Sequence, residues 1–231
     1  MRILAFDTST EACAAALGDG TQWTERSVHA GSRHSELLLP MIGDLLAEGG
    51  LALRDLDGIA FGAGPGSFTG LRIACGVAQG LAFGAGLPVL GVASLEAMAE
   101  AARAKHGWTR VVAALDARMR EVYLAAYDLE HGDWRARIEP CVLPPDEAPP
   151  LEGRWHGAGN GFAAYPALRE RLASALLSCD ECTLPAASAV GRLALPRFAA
   201  GEGLAADHAA PLYVRHRVAL TTAERDAGER L

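Results

Sequence analysis

The stretch GAGPGSFTGLRIACGVAQGLAFGAG, residues 62–86, holds eight glycines, one proline and no lysine. Three readings compete for it: a phosphate-cradling loop, a membrane span, or a surface built for another protein. A Walker loop needs a lysine for the phosphates and a Ser or Thr for magnesium, and GPGSFTGLR has no lysine. The dinucleotide fingerprint fits poorly, because Gly64, Gly66 and Gly70 leave the last gap one residue too long. The uncharged run 73–95 is long enough to cross a bilayer. However, Gln79, Pro88 and its glycines divide it into a helix over about 68–84, a GLP turn and a buried strand VLGVA. What remains is strand, tight turn, helix. Gly64, Pro65 and Gly66 supply the turn. Ser67 or Thr69 can cap the helix, whose free N–H groups attract an anion. The plainer alternative, that these residues only make the turn, stays open.

The helix says more. Gly76, Gly80 and Gly84 recur every four residues, with Ala74, Ala78 and Ala82 beside them. Each mid-helix glycine costs about 1 kcal/mol against alanine. Residues four apart lie nearly above one another, so the glycines form a smooth ridge suited to close backbone approach. Upstream, SRHSELLLPMIGDLLAEGG reads as a helix with Ser32 as N-cap and Gly49-Gly50 as its end. Pro40 should kink it or mark its first turn. Its apolar positions, Leu37 to Leu46, spread over about 200°, whereas a helix lying on one sheet needs a stripe of about 100°. The excess implies a second buried surface, inside the chain against the glycine helix, on a partner, or both. The partner-facing set is then Leu38, Met41, Ile42, Leu45 and Leu46 from one helix. The other supplies Arg72, Ala74, Gly76, Val77, Gly80, Leu81 and Gly84.

Around these two helices the chain reads as α/β. ILAF, CAAAL and WTERSV suggest an antiparallel meander, followed by the strands DGIAFG and PVLGVA and the helix SLEAMAEAARAKHG. The pattern restarts near residue 109 with the strands TRVVAALDA, EVYLAAYDL and ARIEPCVL. A proline-rich loop, a short strand RWHGAG, a helix FAAYPALRERLASALL and a helix SAVGRLALPRFAAG follow, before a polar tail from PLYVR onward. The element order predicts two related α/β units, 1–106 and 107–231, with the last helix and tail packing back on the first.

Composition removes several function classes. Of 231 residues, 50% are hydrophobic and 21% charged, as in a globular protein. The net charge of −7 argues against a nucleic-acid module working by bulk electrostatics. The small basic cluster Arg215-His216-Arg217 reads as a solvated segment or a local tRNA contact. Asp7 and Glu11 interrupt any signal-peptide apolar region, and five cysteines, an odd number, fit a reducing cytoplasm. The lone CxxC, Cys179 and Cys182, reads as two ordinary thiols near a helix end. The seven histidines show no paired metal-ligand spacing, and His34 at a helix start reads as a solvated group. Neither Ser9 nor Ser67 has an adjacent His/Asp constellation for nucleophilic catalysis.

Four stretches, ILAFDTST, HSELLLP, AFGAGPGSFTGLRIACGVAQGLAF and LDARMREVY at 115–123, together with the closing PLYVR, resemble the TsaB (YeaZ) family. The likeness covers the first 125 residues well and the rest loosely. It implies the two-lobed α/β fold of actin, hexokinase and the Hsp70 ATPase, built from two ribonuclease H-like βββαβα halves. It also implies a non-catalytic partner that activates TsaD, the transferase that places threonylcarbamoyl on adenosine 37 of tRNAs reading codons that begin with A. The ATPase TsaE and a second copy of the chain are the other implied partners, and tRNA is reached only through the complex. TsaD proteins carry a metal-binding His-x-x-x-His where this chain has Ser94 and Met98, so no metal is expected. In this fold the first phosphate loop would be Asp7, Thr8, Ser9 and Thr10, and the second would hold Asp116 and Arg118. GAGNG at 157–161 falls where an adenosine-binding loop would lie. Neither phosphate loop has the glycine that lets a backbone approach a phosphate. That permits weak ATP or ADP binding at the partner interface, with no required cofactor, and argues against efficient hydrolysis. The alternatives are an ATPase or kinase-like enzyme using Asp7 or Asp116, and a metal-independent peptidase-like enzyme.

Overall fold

A computed structural model of the chain describes residues 1–215. His216 and Arg217 of the basic cluster therefore lie outside the described residues. The first half runs β1 (Ile3–Asp7), β2 (Ala12–Gly18), β3 (Trp23–His29), α1 (His34–Glu48), β4 (Gly58–Gly64), α2 (Phe68–Ala85), β5 (Val89–Ala93) and α3 (Ser94–His106). The second runs β6 (Arg110–Asp116), β7 (Val122–Glu130), β8 (Asp133–Leu143), β9 (Trp155–Ala158), α4 (Gly161–Ala164), α5 (Pro166–Leu172), β10 (Leu176–Asp180) and α6 (Ala187–Ala199).

The two sheets have one topology. The first is ordered β3-β2-β1-β4-β5, and the second, read in the same sense, β8-β7-β6-β9-β10. In each an antiparallel three-strand meander is extended by two parallel strands. This is the duplicated ribonuclease H-like unit of the actin and hexokinase architecture, and the repeat lies in the element order rather than in residue identities.

Period-two alternation places the core. Leu4 and Phe6 of β1 face α1 and α2, while Ile3 and Ala5 face α6. Both faces of the first sheet are covered, so its strands read as continuous apolar runs. The helices that end each half are exchanged. α3 packs Leu95, Met98, Ala99 and Ala102 on Val111, Ala113 and Ala125 of the second sheet. α6 packs Ala189, Val190, Ala194 and Phe198 on Ile3, Ala60 and Leu90 of the first.

Several local expectations are corrected. FAAYPALRERLASALL is not one helix: Tyr165, before Pro166, is extended at φ −131°, because the proline ring disfavours a helical predecessor. Its last residues then become β10, parallel to β9. Cys179 therefore lies in a strand and Cys182 just beyond it, not near a helix end. Ser32 does not cap α1, which starts at His34 after Arg33 with no side-chain cap. Pro40 lies beyond the first turn, in the helix interior, at an exposed position.

Candidate functional site

α2 is built with two opposite faces. Ala74, Ala78 and Ala82 are buried on the sheet with Leu71 and Cys75. The ridge of Gly76, Gly80 and Gly84 begins two positions further on, about 200° round the helix, and is exposed rather than beside the alanines. A Cβ placed on any of these three glycines meets nothing within 4 Å. The same holds for Gly43 on the outer side of α1. The glycines are thus not required by any close approach among the described residues, and each lowers the stability of an exposed helix turn.

Several residues assigned to a partner by their apolarity belong to the chain's own core. Leu38, Met41, Ile42 and Leu45 of α1 and Ala74 of α2 are all at most 8% exposed and pack on the first sheet. Their side chains are already used, so they cannot also line an interface. Leu46, Val77 and Leu81 are half-buried, and Arg72, Gly76, Gly80 and Gly84 are exposed. Two large apolar groups left out of the partner-facing set are exposed: Leu39 on α1, half exposed, and Phe83 on α2, 83% exposed. Phe83 stands three residues after Gly80, and that spacing was the available signal.

The start of α2 is closed against the β1–β2 turn. Ser67 is the N-cap and accepts from Gly70 N at 3.3 Å. Ser67 N donates to Ser9 O at 2.7 Å, and Thr8 Oγ1 donates to Gly70 O at 2.7 Å. A Cβ at Gly70 would stand 1.9 Å from Thr8 O, and one at Gly66 2.3 Å from Ser9 O. Thr69 lies exposed beside this contact. Gly64, at φ +121°, meets the C-terminal segment, where Leu212 N donates to Ala63 O at 2.7 Å. Tyr213 then reaches Arg72, whose Nε donates to its hydroxyl at 3.0 Å while the guanidinium lies 3.6 Å over the Phe68 ring.

The residues expected to face phosphates are split. Asp7 is fully buried; its Oδ1 accepts from Ser9 N and Ser9 Oγ, and its Oδ2 accepts from Ser94 Oγ at 3.3 Å. Burial pushes the Asp7 carboxyl above its ordinary range, against those hydrogen bonds and the nearby His34. Asp7 and Thr8 therefore do not line the open cleft between the lobes. That cleft, about 770 Å³, is lined on one side by Ser9, Thr10 and Ser67 and on the other by Asp116, Arg118 and Tyr123. His34 is not a solvated surface group: it is 5% exposed on the cleft wall, with Nε2 2.9 Å from Thr10 O.

The second loop is held firmly. Asp116 Oδ1 accepts from Arg118 N and Tyr165 OH, its N–H donates to Asn160, and its Oδ2 pairs with Arg118 at 2.9 Å. Arg118, Met119 and Arg120 are all left-handed, at φ 61°, 54° and 61°, which costs non-glycine residues about 1–2 kcal/mol each. Arg215, paired with Glu121, braces this turn. Ser94 and Met98, where metal-ligating histidines would stand, are fully buried. No group of three or more potential metal ligands occurs among the described residues. No helix among them is long and apolar enough to cross a membrane.

The family model described as "TsaD: tRNA N6-adenosine threonylcarbamoyltransferase" matches residues 28–184. The chain is 44% identical to the Escherichia coli K12 tRNA threonylcarbamoyladenosine biosynthesis protein TsaB, over 95% of this chain and 96% of that one. It is 40% identical to the Haemophilus influenzae TsaB, over 94% and 95% respectively. Among solved structures, YeaZ from Pseudomonas aeruginosa is 43% identical with a TM-score of 0.85, covering 92% of this chain and 99% of its own. A second structure, described as an uncharacterized protein with similarity to peptidase YEAZ from Pseudomonas aeruginosa, is 44% identical with a TM-score of 0.86. It covers 93% of this chain and 99% of its own.

Proposed function

The chain belongs to the TsaB (YeaZ) family, and from that premise we propose that it is a non-catalytic partner of the TsaD transferase in forming threonylcarbamoyladenosine on tRNA. The product is the modified adenosine 37 of tRNAs reading codons that begin with A. One observation carries the reading: on α1 and α2, four glycines have open space where a Cβ would be, and Leu39 and Phe83 are exposed around them. Each glycine destabilises its helix, so a retained ridge is explained by a helix of another chain resting on it. Helices that meet over glycine approach backbone to backbone, and the exposed Phe83 and Leu39 supply the apolar area at the rim.

In this reading α1 and α2 join the matching helices of TsaD in a four-helix contact. The same surface closes a homodimer when TsaD is absent, since an isologous contact uses one patch twice. TsaE joins the complex as its ATPase, and tRNA reaches this chain only through the assembly, in the cytoplasm. The chain requires no cofactor; weak ATP or ADP binding in the cleft at the partner interface is compatible with Asp116 and Arg118 on its wall. The buried, hydrogen-bonded Asp7 supports a non-enzymatic role, because a catalytic carboxylate must reach its substrate. Replacing Gly80 by leucine tests the contact: the variant should stay folded but run as a monomer and fail to co-elute with TsaD on a sizing column. A Gly80→Leu protein that still dimerises and still binds TsaD overturns the assignment. Reconstituted tRNA modification with TsaD and TsaE should stop when this chain is omitted. ATP or peptide turnover by the purified chain alone, abolished by Asp7→Ala, would favour an enzyme instead.

A further inference from the structure

α2 carries one charged residue in its 18, Arg72, and that residue is exposed. Arg72 stands one helical step before Gly76, at the head of the glycine ridge. The helix itself gives no reason for a cation there. The guanidinium lies back over Phe68, the first residue of α2, at the positive end of the helix dipole. No acidic residue stands in that first turn, and no carboxylate pairs with Arg72 among the described residues. The side chain is nevertheless held in one orientation. Its guanidinium is 3.6 Å from the centre of the Phe68 ring, and its Nε donates to the Tyr213 hydroxyl at 3.0 Å. Tyr213 packs beside Phe68, with ring centroids 5.7 Å apart, and its segment is tied to β4 through Leu212 N and Ala63 O.

With Nε engaged and one face of the guanidinium covered, Nη1 and Nη2 are left to donate. That fork matches the two oxygens of a carboxylate, and fixing it beforehand lowers the ordering cost of the contact. A second copy of the chain is a poor source of the carboxylate. α2 has none, and the three on α1 are already engaged: Glu36 with Arg33, and Asp44 and Glu48 with Arg26.

We propose that Arg72 takes a carboxylate, an Asp or Glu side chain on the TsaD helix that rests on the glycine ridge, and so favours TsaD over a second copy. The proposal rests on the α1–α2 contact read above. The bare ridge admits any helix that packs closely, and the cation at its head distinguishes one helix from another. Phe68 and Tyr213 are positioning residues for that cation, which brings the C-terminal segment into the contact. The test compares two affinities of the full chain: for TsaD, by titration calorimetry, and for itself, by sedimentation on dilution. At low salt Arg72→Ala should weaken TsaD binding about tenfold or more and change the homodimer by less than about twofold. The deficit should shrink at high salt, where the lost attraction is screened. Arg72→Lys keeps the charge without the fork and should fall between the two. Tyr213→Phe should weaken TsaD binding about threefold by releasing Nε. An Arg72→Ala chain that binds TsaD within about twofold of the unaltered one overturns the proposal, as does an equal loss in the homodimer. Gly80→Leu keeps this reading separate from the one beneath it. If Gly80→Leu breaks both assemblies and Arg72→Ala breaks neither, the surface stands and the anchor falls. If Gly80→Leu breaks neither assembly, the surface is overturned and the anchor with it.

Discussion

Replacing Gly76 and Gly80 together by alanine should make the isolated chain more stable and its partnership weaker. Both residues are exposed in the interior of α2, and a Cβ at either meets nothing within 4 Å. No internal contact therefore opposes the change, and only the backbone term remains. Alanine is favoured over glycine in a helix interior by about 0.8–1 kcal/mol, so the pair contributes about 2 kcal/mol. In a chain of this size that corresponds to a melting-temperature rise of about 4–8 °C. The measurement needs dilutions at which the melting temperature no longer depends on concentration, so that a homodimer does not add its own stabilisation. The same two methyl groups should hold a partner helix off the ridge and weaken TsaD binding at least about tenfold, equivalent to about 1.4 kcal/mol. Opposite signs in the two assays identify the ridge as a contact kept at the monomer's expense. An unchanged or lower monomer stability would mean the glycines serve the chain's own packing. A stabilised monomer that binds TsaD as tightly as before would remove the ridge from the interface. Either result refutes the reasoning.

Gly70→Ala, in the same helix, should do the reverse and destabilise the fold by about 3 kcal/mol or more, because its Cβ would stand 1.9 Å from the Thr8 carbonyl oxygen; urea denaturation checks this, and a loss under 1 kcal/mol counts against the packed turn. Removing the buried carboxylate in Glu100→Ala should cost about 2–3 kcal/mol, since it frees two arginines and the Trp134 N–H, with Trp134 fluorescence shifting in the native state. Burial raises the Asp7 carboxyl, so the folded chain keeps that proton longer than the unfolded one. Stability should therefore decline as pH rises from about 4 through the folded-state value, and Asp7→Asn should remove the decline; parallel urea-midpoint profiles for the two proteins between pH 4 and pH 8 would contradict it.

The fold was legible where pattern and propensity agree. The meander, the two parallel strands and the helices α1, α2, α3 and α6 all follow from period, turn chemistry and breakers, and the restart near residue 109 foretold the second sheet. β10 was missed because LASALL has good helix formers, and only pairing with β9, about twenty residues earlier, makes Leu176–Asp180 a strand. Helix-wheel width could report that α1 is over-apolar but not which part faces the sheet. Leu38, Met41, Ile42 and Leu45 were therefore given to a partner, while the exposed Leu39 and Phe83 were passed over. His34 looked solvated because its partner, the Thr10 carbonyl, is 24 residues away in sequence and adjacent only in the fold.

The glycine-rich stretch divides by what each residue would meet. At Gly62, Gly66 and Gly70 a Cβ would fall 1.7–2.3 Å from atoms of Asp7, Ser9 or Thr8, so these glycines exist to bring β4 and α2 onto the β1–β2 turn. That closeness has a chemical consequence. The Ser9 and Thr8 oxygens and the Asp7 carboxylate are taken up by Ser67, Gly70 and the turn itself, leaving this loop few free donors with which to cradle a phosphate. At Gly76, Gly80 and Gly84 the same residue type meets open space, and internal packing gives no reason for it. One helix thus spends its first turn packing on the β1–β2 turn. It leaves its later turns bare among the described residues, at a cost of about 1 kcal/mol for each glycine. If the first turn were instead opened, by Ser67→Ala with Thr8→Val, the cap and the Thr8–Gly70 bond would go. Nucleotide affinity should then stay weak, because the two loops still lack glycine. A strong gain in ATP binding by that variant would show that the turn, and not the loop composition, limits nucleotide binding in the cleft.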